Sequence, residues 1–363
     1  MRLTPLSFCV LPSRMTLRNT PGGYDDWDSA AQQAFDANTL FHDVFASEEP
    51  GKIYAVGPPL KRAFRTLLKA ADLRIDGVPA KMNEISQSQR ACVVEITAPV
   101  DTAKVLEISH PSMATRIAVS PSALAQYKGA RAMFTLSRNN TLDWVRDWAH
   151  FHVDTQGVDA IVLFDNASDA YGADALLEVL AGIDGLKTFD VIPAPFQYGP
   201  VGDGRERTSV RYLQFGLFEI IRLRFLGQAY GALNMDIDEM AYGPDGFTVF
   251  DAAKQSDEGF LTLPGGWRYP APGAPPTHAA HVLRATDDAE MYPKWCIDPA
   301  GPQKDKSWRT HGIKKLPDQL QDGFGFFHCR MISESWHYDR SEYTDLTLET
   351  DPLAQSLLGP RAD

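Results

Sequence analysis

The sequence predicts an α/β protein, with a mostly parallel sheet flanked by helices behind a β-rich, sandwich-like module. Three observations lead there. Between about residues 131 and 240, apolar runs of strand length alternate with segments of helical periodicity, the β-α-β pattern that implies parallel strands. Residues 1–128 instead show short β-leaning runs spaced roughly ten residues apart and cut by turn residues. The apolar run Tyr230–Met235 then ends in Asp236-Ile237-Asp238-Glu239, a carboxylate cluster at what would be the edge of the sheet.

Composition bounds the rest. A chain of 363 residues suggests about two domains, and 44% hydrophobic with 23% charged residues is ordinary globular composition. The net charge of −12 argues against a nucleic-acid partner, which would be held by clustered Lys and Arg. Cys9, Cys92, Cys296 and Cys329 stand far apart with no Cys-x-x-Cys, so they read as reduced, buried thiols of a cytoplasmic protein. Met1–Val10 has no adequate apolar stretch for a signal peptide. The longest apolar region, Tyr212–Met235, carries Glu219, Arg222 and Arg224, which a membrane span would not hold. The expectation is no membrane span, and at most peripheral association with a membrane.

Taken in order, residues 1–128 offer strands at Lys52–Val56, Leu73–Ile75, Ala91–Thr97, Lys104–Ser109 and Thr115–Val119, with one helix near Ser29–Phe45. They hold no catalytic constellation and read as a structural, docking or carbohydrate-binding module. Next come the strand Ala132–Leu136, the polar turn Ser137–Asn140, and a helix with Thr141 as N-cap and Asp143 in its first turn, closed by Gly157. His150 and His152 on that helix read as packing or surface groups. The strand Ala160–Phe164 runs into Asp165-Asn166-Ala167-Ser168, whose local reading is an Asx turn. A helix Ala173–Ile183 capped from Ser168–Asp169, a strand Phe189–Ile192 and a long helix of about Thr208–Gln228 lead to the strand before the acidic cluster. Beyond it, strands are expected at Phe247–Phe250 and Phe260–Leu263, then a Gly/Pro-rich loop Pro264–His278 and a peripheral tail after Thr344.

Ser137–Asn140, Asp165–Ser168 and Asp236–Glu239 all follow strands, so they gather along one sheet edge, where α/β sheets bind ligands. Neither a Gly-x-Gly-x-x-Gly nor a Gly-x-x-x-x-Gly-Lys-Ser/Thr loop is present to cradle phosphates. Carboxylates holding Mn²⁺ or Mg²⁺ against a diphosphate are the natural substitute.

These residues resemble a known family. Thr135-Leu136-Ser137-Arg138-Asn139-Asn140, then Asp143-Trp144 with His150 and His152, Gly157-Val158-Asp159, and Asp165-Asn166-Ala167-Ser168 look like the opening of GT-A-type glycosyltransferases of the family 2-like and family 92-like groups. Asn234-Met235-Asp236-Ile237-Asp238-Glu239-Met240 is similar to their Asp-x-Asp-Glu-Phe metal motif, with Met240 replacing Phe. The likeness spans about residues 133–343 in family order. It departs at Asn140 and Asp143, where the family often has Glu.

The resemblance implies a GT-A domain over residues 129–345, preceded by the β-rich module 1–128 and followed by a tail 346–363. It also implies an activity, the transfer of a hexose from a UDP- or GDP-linked sugar to a glycan or glycolipid acceptor in envelope polysaccharide synthesis. By the same resemblance Thr135, Arg138, Asn139, Asp165 and Asn166 border the nucleotide sugar. Asp236, Asp238 and His328 hold the metal, and Lys294 and His311 neutralise the diphosphate. Asp298, Asp305 and Glu334 are the candidates for the base that deprotonates the acceptor. Two other readings use the same residues, a non-catalytic sugar- or nucleotide-binding protein of GT-A fold and a metal-dependent phosphohydrolase.

Overall fold

The computed structural model describes residues 2–200, 205–287, 291–333 and 346–359. The chain forms two compact units. One comprises Met1–Thr4, Tyr127–Pro193 and Gln228–Asp363, the other Pro5–Gln126 and Ala194–Gly227. No helix among the described residues is long and apolar enough to cross a membrane.

The first unit is mixed α/β, built on a seven-stranded, mostly parallel sheet. The strand order is Arg2–Leu3, Thr188–Pro193, Ala160–Asp165, Arg131–Ser137, Gly231–Asn234, Lys294–Ile297, Phe260–Leu263. The first five strands run parallel, with Ser137 beside Asp165 and Phe134 beside Asn234. Lys294–Ile297 runs antiparallel to both its neighbours. The central strands are apolar on both faces because both are buried; every residue of Ala160–Asp165 is.

Three helices share one core with the odd-numbered strand residues Met133, Ile161, Leu163, Val191 and Leu233. Leu142–Gln156 starts where the Thr141 side chain accepts the Trp144 N–H and ends at Gly157, whose φ of 64° is left-handed. It contributes Val145, Trp148 and Ala149 to that core. Ala173–Ala181 contributes Leu176 and Leu180, and Val249–Gln255 contributes Val249, Phe250, Ala252 and Ala253. On the opposite side Phe134 meets Trp295 and Trp308, each with ring centroids 5.7 Å away.

Several expected elements differ. Phe247–Phe250, read as a strand, begins a helix because Thr248 and Asp251 form a reciprocal capping box. The helix after Asp165 is capped by Gly172 without a side-chain bond, not from Ser168–Asp169. The tail is not peripheral. Leu348–Thr350 pairs with Leu283–Ala285, and Pro352–Leu358 buries Ala354 and Leu358 in the main core.

The second unit holds two four-stranded antiparallel sheets. One is Asp43–Ala46, Lys52–Gly57, Cys92–Thr97, Lys81–Gln87, and the other Met113–Ala118, Val105–His110, Asp72–Ile75, Val78–Pro79. Ile53, Val94, Leu73 and Ile108 from the two sheets lie in one core, with Phe64 and Leu68 of the helix Arg62–Ala70 between them. The helix expected over Ser29–Phe45 stops at Gln33, because Thr39–Phe41 and Asp43–Ala46 are strands. Ala194–Gly227 groups with this unit, although a boundary at residue 128 would assign it to the other. It carries the helix Tyr212–Ile220, which continues as a π-helical stretch Ile221–Leu226. Arg224 in that stretch is buried and ion-paired with buried Asp43 at 2.7 Å. The four cysteines are buried free thiols, two in each unit.

Candidate functional site

The strand order reverses at Arg131–Ser137. The next two strands in sequence, Ala160–Asp165 and Thr188–Pro193, lie to one side, and Gly231–Asn234 lies to the other. Such a switch point opens a crevice at the carboxyl ends of the strands. The acidic cluster begins two residues beyond Asn234 at that edge.

Local hydrogen bonds shape the cluster. The Glu239 N–H donates to the Asp236 carbonyl at 3.0 Å, and the Asp236 N–H donates to Glu239 Oε2 at 2.8 Å, so the Glu239 side chain closes the turn that carries it. Ile237 faces the apolar core, which aims its neighbours the other way. Glu239–Tyr242 then pairs with Gly325–Cys329, setting Glu239 opposite His328. The Cys329 N–H donates to the Asp238 carbonyl at 2.7 Å, and Gly265–Arg268 completes a three-stranded sheet beside the turn. His278 Nε2, 2.8 Å from the Ile237 carbonyl, fastens the turn to the Gly/Pro-rich loop.

The charges divide into two groups. Lys294, 2% exposed, lies 2.5 Å from Asp236 and 2.9 Å from Glu239. Burial alone would lower its ammonium, but the two carboxylates outweigh it and hold the pKa above the usual lysine range. Burial also pushes the Glu239 carboxyl up, with Lys294 opposing and Asp236 adding to the push. In the second group Asp238 Oδ2 lies 3.0 Å from His328 Nε2, and the imidazole is stacked on Trp267 with centroids 4.0 Å apart. Asp238, Glu239 and His328 each offer one ligand atom, all within 4.8 Å of one another, so they could hold a metal ion. Two carboxylate oxygens and an imidazole suit Mn²⁺ better than Mg²⁺. Of the expected metal set of Asp236, Asp238 and His328, the last two lie in this group with Glu239, and Asp236 lies 2.5 Å from Lys294.

The chain matches no family model and no curated protein sequence.

Of the other expected residues, Thr135, Arg138, Asn139, Asp165 and Asn166 lie along the carboxyl edge of the sheet. Thr135 is at the switch-point strand, and its buried hydroxyl has no hydrogen-bond partner among the described residues. Arg138 is exposed at the same edge. Asn139 has a left-handed φ of 55° and laces two loops together. Its N–H donates to Ser168 Oγ at 2.8 Å, its Nδ2 donates to Asp169 at 2.9 Å, and its Oδ1 accepts the Asp169 N–H at 2.9 Å. Asp165 Oδ1 accepts the Ser168 hydroxyl at 2.5 Å and the Ser168 N–H at 3.3 Å, and the Asn166 N–H donates to the Ser137 carbonyl at 2.8 Å. Lys294 is paired within the acidic cluster. His311 is exposed, stacked on Tyr292 at 4.7 Å and 3.2 Å from the Pro293 carbonyl.

Two of the base candidates, Asp298 and Asp305, do not join the site. Asp298 ends the antiparallel strand that begins at Lys294, so it lies about 13 Å away at the opposite edge of the sheet. There it is paired with Lys254 at 2.7 Å. Asp305 is exposed in the turn that follows, whose Gln303 contacts Glu258 near that same edge. Glu334 lies outside the described residues. Clefts of about 820 and 490 Å³ are lined wholly by the β-rich unit and include none of the acidic cluster.

Sequence reasoning missed His278, Trp267 and the place of Glu239 in the group that could hold a metal. The adjacency of Glu239 to Asp238 was visible. That Asp236 is occupied by Lys294, 58 residues further on, was not.

Proposed function

We propose that this chain is a metal-dependent glycosyltransferase of GT-A type, moving a hexose from a UDP- or GDP-sugar to a hydroxyl of a glycan or glycolipid. The observation that carries this is the mixed ligand group Asp238, Glu239 and His328 at the switch point of a mostly parallel sheet. When bound there, Mn²⁺ supplies Lewis-acid stabilisation of a departing nucleoside diphosphate. Asp238, Glu239 and His328 hold it, and Trp267 stacked on His328 fixes the imidazole plane. Asp236 is the cluster carboxylate open to solvent, its side chain 39% exposed, and it accepts hydrogen bonds from ligand hydroxyls. Exposed Arg138 at the neighbouring strand end meets the phosphates.

Calorimetric titration with UDP and with GDP, in Mn²⁺ and then in EDTA, tests the reading. Tight binding of one nucleotide that EDTA removes is the expected result and names the base. Equal binding in both buffers, or none in either, overturns it.

A second reading is a nucleotide- or sugar-binding protein without turnover. It is favoured by the position of Asp298 and Asp305 away from the crevice. Metal-dependent nucleotide binding without release of nucleoside diphosphate from any UDP- or GDP-hexose would select it.

A further inference from the structure

Asp298 and Asp305 lie away from the crevice, and a short hairpin brings another proton acceptor to it. Trp308–Arg309 pairs antiparallel with Gly312–Ile313, and Thr310 and His311 form the turn between them. Two side chains fasten this hairpin to the sheet. Asn234 Nδ2, at the carboxyl end of the strand before the acidic turn, donates to the Thr310 carbonyl at 2.9 Å, and Trp295 Nε1 donates to the Arg309 carbonyl at 2.8 Å. His311 is thereby held where the charges of Lys294, Asp236 and His328 act on it.

The ring has a defined tautomer. Nδ1 lies 3.2 Å from the Pro293 carbonyl, and a carbonyl oxygen only accepts, so Nδ1 carries the proton. Nε2 then presents a lone pair, and it has no hydrogen-bond partner among the described residues. Tyr292, stacked at 4.7 Å with 23° between the planes, covers one face of the ring. Loss of water around the ring, then the Lys294 ammonium, push its pKa down to about 4. That is the basicity of an ordinary carboxylate, and the ring is neutral at about pH 7. His311 brings a lone pair to the crevice rather than a positive charge. Asp236, the open carboxylate there, already accepts from the Lys294 ammonium.

We propose that His311 is the general base of the transfer, taking the proton of the acceptor hydroxyl on Nε2. This rests on the transferase reading above and deepens it. As the O–H bond breaks, the hydroxyl oxygen bonds to the anomeric carbon of the donor. The bond from that carbon to the diphosphate breaks, and its electron pair leaves on the diphosphate. The imidazolium then gives its proton to solvent. A single displacement of this kind inverts the anomeric configuration.

Release of UDP or GDP from UDP-glucose, UDP-galactose and GDP-mannose in Mn²⁺, with water as acceptor, tests this beside calorimetry with UDP and GDP. The wild type releases nucleoside diphosphate from one of these donors, and the first-formed hexose has the inverted configuration. His311→Ala binds the nucleotide with Kd within about threefold of wild type but turns over roughly a hundredfold more slowly, and added imidazole restores at least about a tenth of the lost rate. His311→Gln, which can hydrogen-bond but is not basic, is equally slow.

Unchanged turnover in His311→Ala, a loss that imidazole does not restore, or retention of configuration overturns the base. A nucleotide Kd beyond that range in His311→Ala assigns the ring to the diphosphate and overturns it as well. A wild type that binds nucleotide and releases none from these donors overturns the base while leaving the metal-dependent nucleotide site. A wild type that binds neither nucleotide overturns the transferase reading itself, and this inference with it.

Discussion

His152 is held at both ring nitrogens. Nδ1 donates to the Trp148 carbonyl at 2.8 Å, and Nε2 accepts the Ala241 N–H at 3.0 Å. Because a backbone N–H can only donate, Nε2 carries no proton and the ring is neutral. Burial pushes its pKa down to about 3. The folded value lies below the usual 6.5, so the unfolded chain takes up the proton first as pH falls. The contribution to stability is full above about pH 6.5 and is lost toward pH 3. Nitrogen NMR should show Nε2 unprotonated at pH 5, with a urea midpoint that falls between pH 6.5 and 4. His152→Leu should cost about 1–3 kcal/mol for the stranded Ala241 N–H and flatten that fall. The packing role of His152 was legible because helical periodicity alone puts it on the apolar face. The split of the acidic cluster was not, since it depends on a hydrogen bond from Asp236 to Glu239 and on a lysine that arrives with another strand.

At the scale of elements, local signals served well where the structure is local. Thr141 and Gly157 bound their helix as their chemistry dictates, and Thr141→Ala should cost about 1 kcal/mol in urea unfolding with an unchanged m-value. Thr248 and Asp251 carried an equally local signal that apolar Phe247, Val249 and Phe250 masked. The strand order was only partly legible. Parallel pairing of the first strands follows from right-handed crossovers. The insertion of Lys294–Ile297 beside Gly231–Asn234, ahead of the earlier Phe260–Leu263, has no local signature, yet it is what brings Lys294 to the site.

At the scale of the whole molecule, the segment Ala194–Gly227 is decisive. Its helix buries Leu213, Leu217, Phe218 and Ile220, and its π-helical stretch buries Phe225 and Leu226. It groups with Pro5–Gln126, and Arg224 pairs with Asp43. A fragment starting at Lys128 removes those partners and should aggregate on expression, as judged by sedimentation of the soluble fraction. If instead it is monodisperse, the grouping is not needed for folding. Arg224→Leu in the full chain leaves Asp43 buried and unpaired and should cost about 3–5 kcal/mol. A linear boundary near residue 128 was the natural reading of a change in composition; a return excursion of the chain 66 residues later leaves no such change.

That excursion also orders events during synthesis. The β-rich unit has most of its strands by Gln126 but lacks its last segment until Gly227, roughly a hundred residues later. At about 5–20 residues per second, the nascent chain carries that incomplete core for roughly 5–20 s. The first three long strands of the other sheet emerge in the same interval, before the Gly231–Asn234 strand can flank them. Two unfinished apolar surfaces thus coexist on one growing chain, and slowing translation between codons 127 and 227 should raise misfolding rather than relieve it.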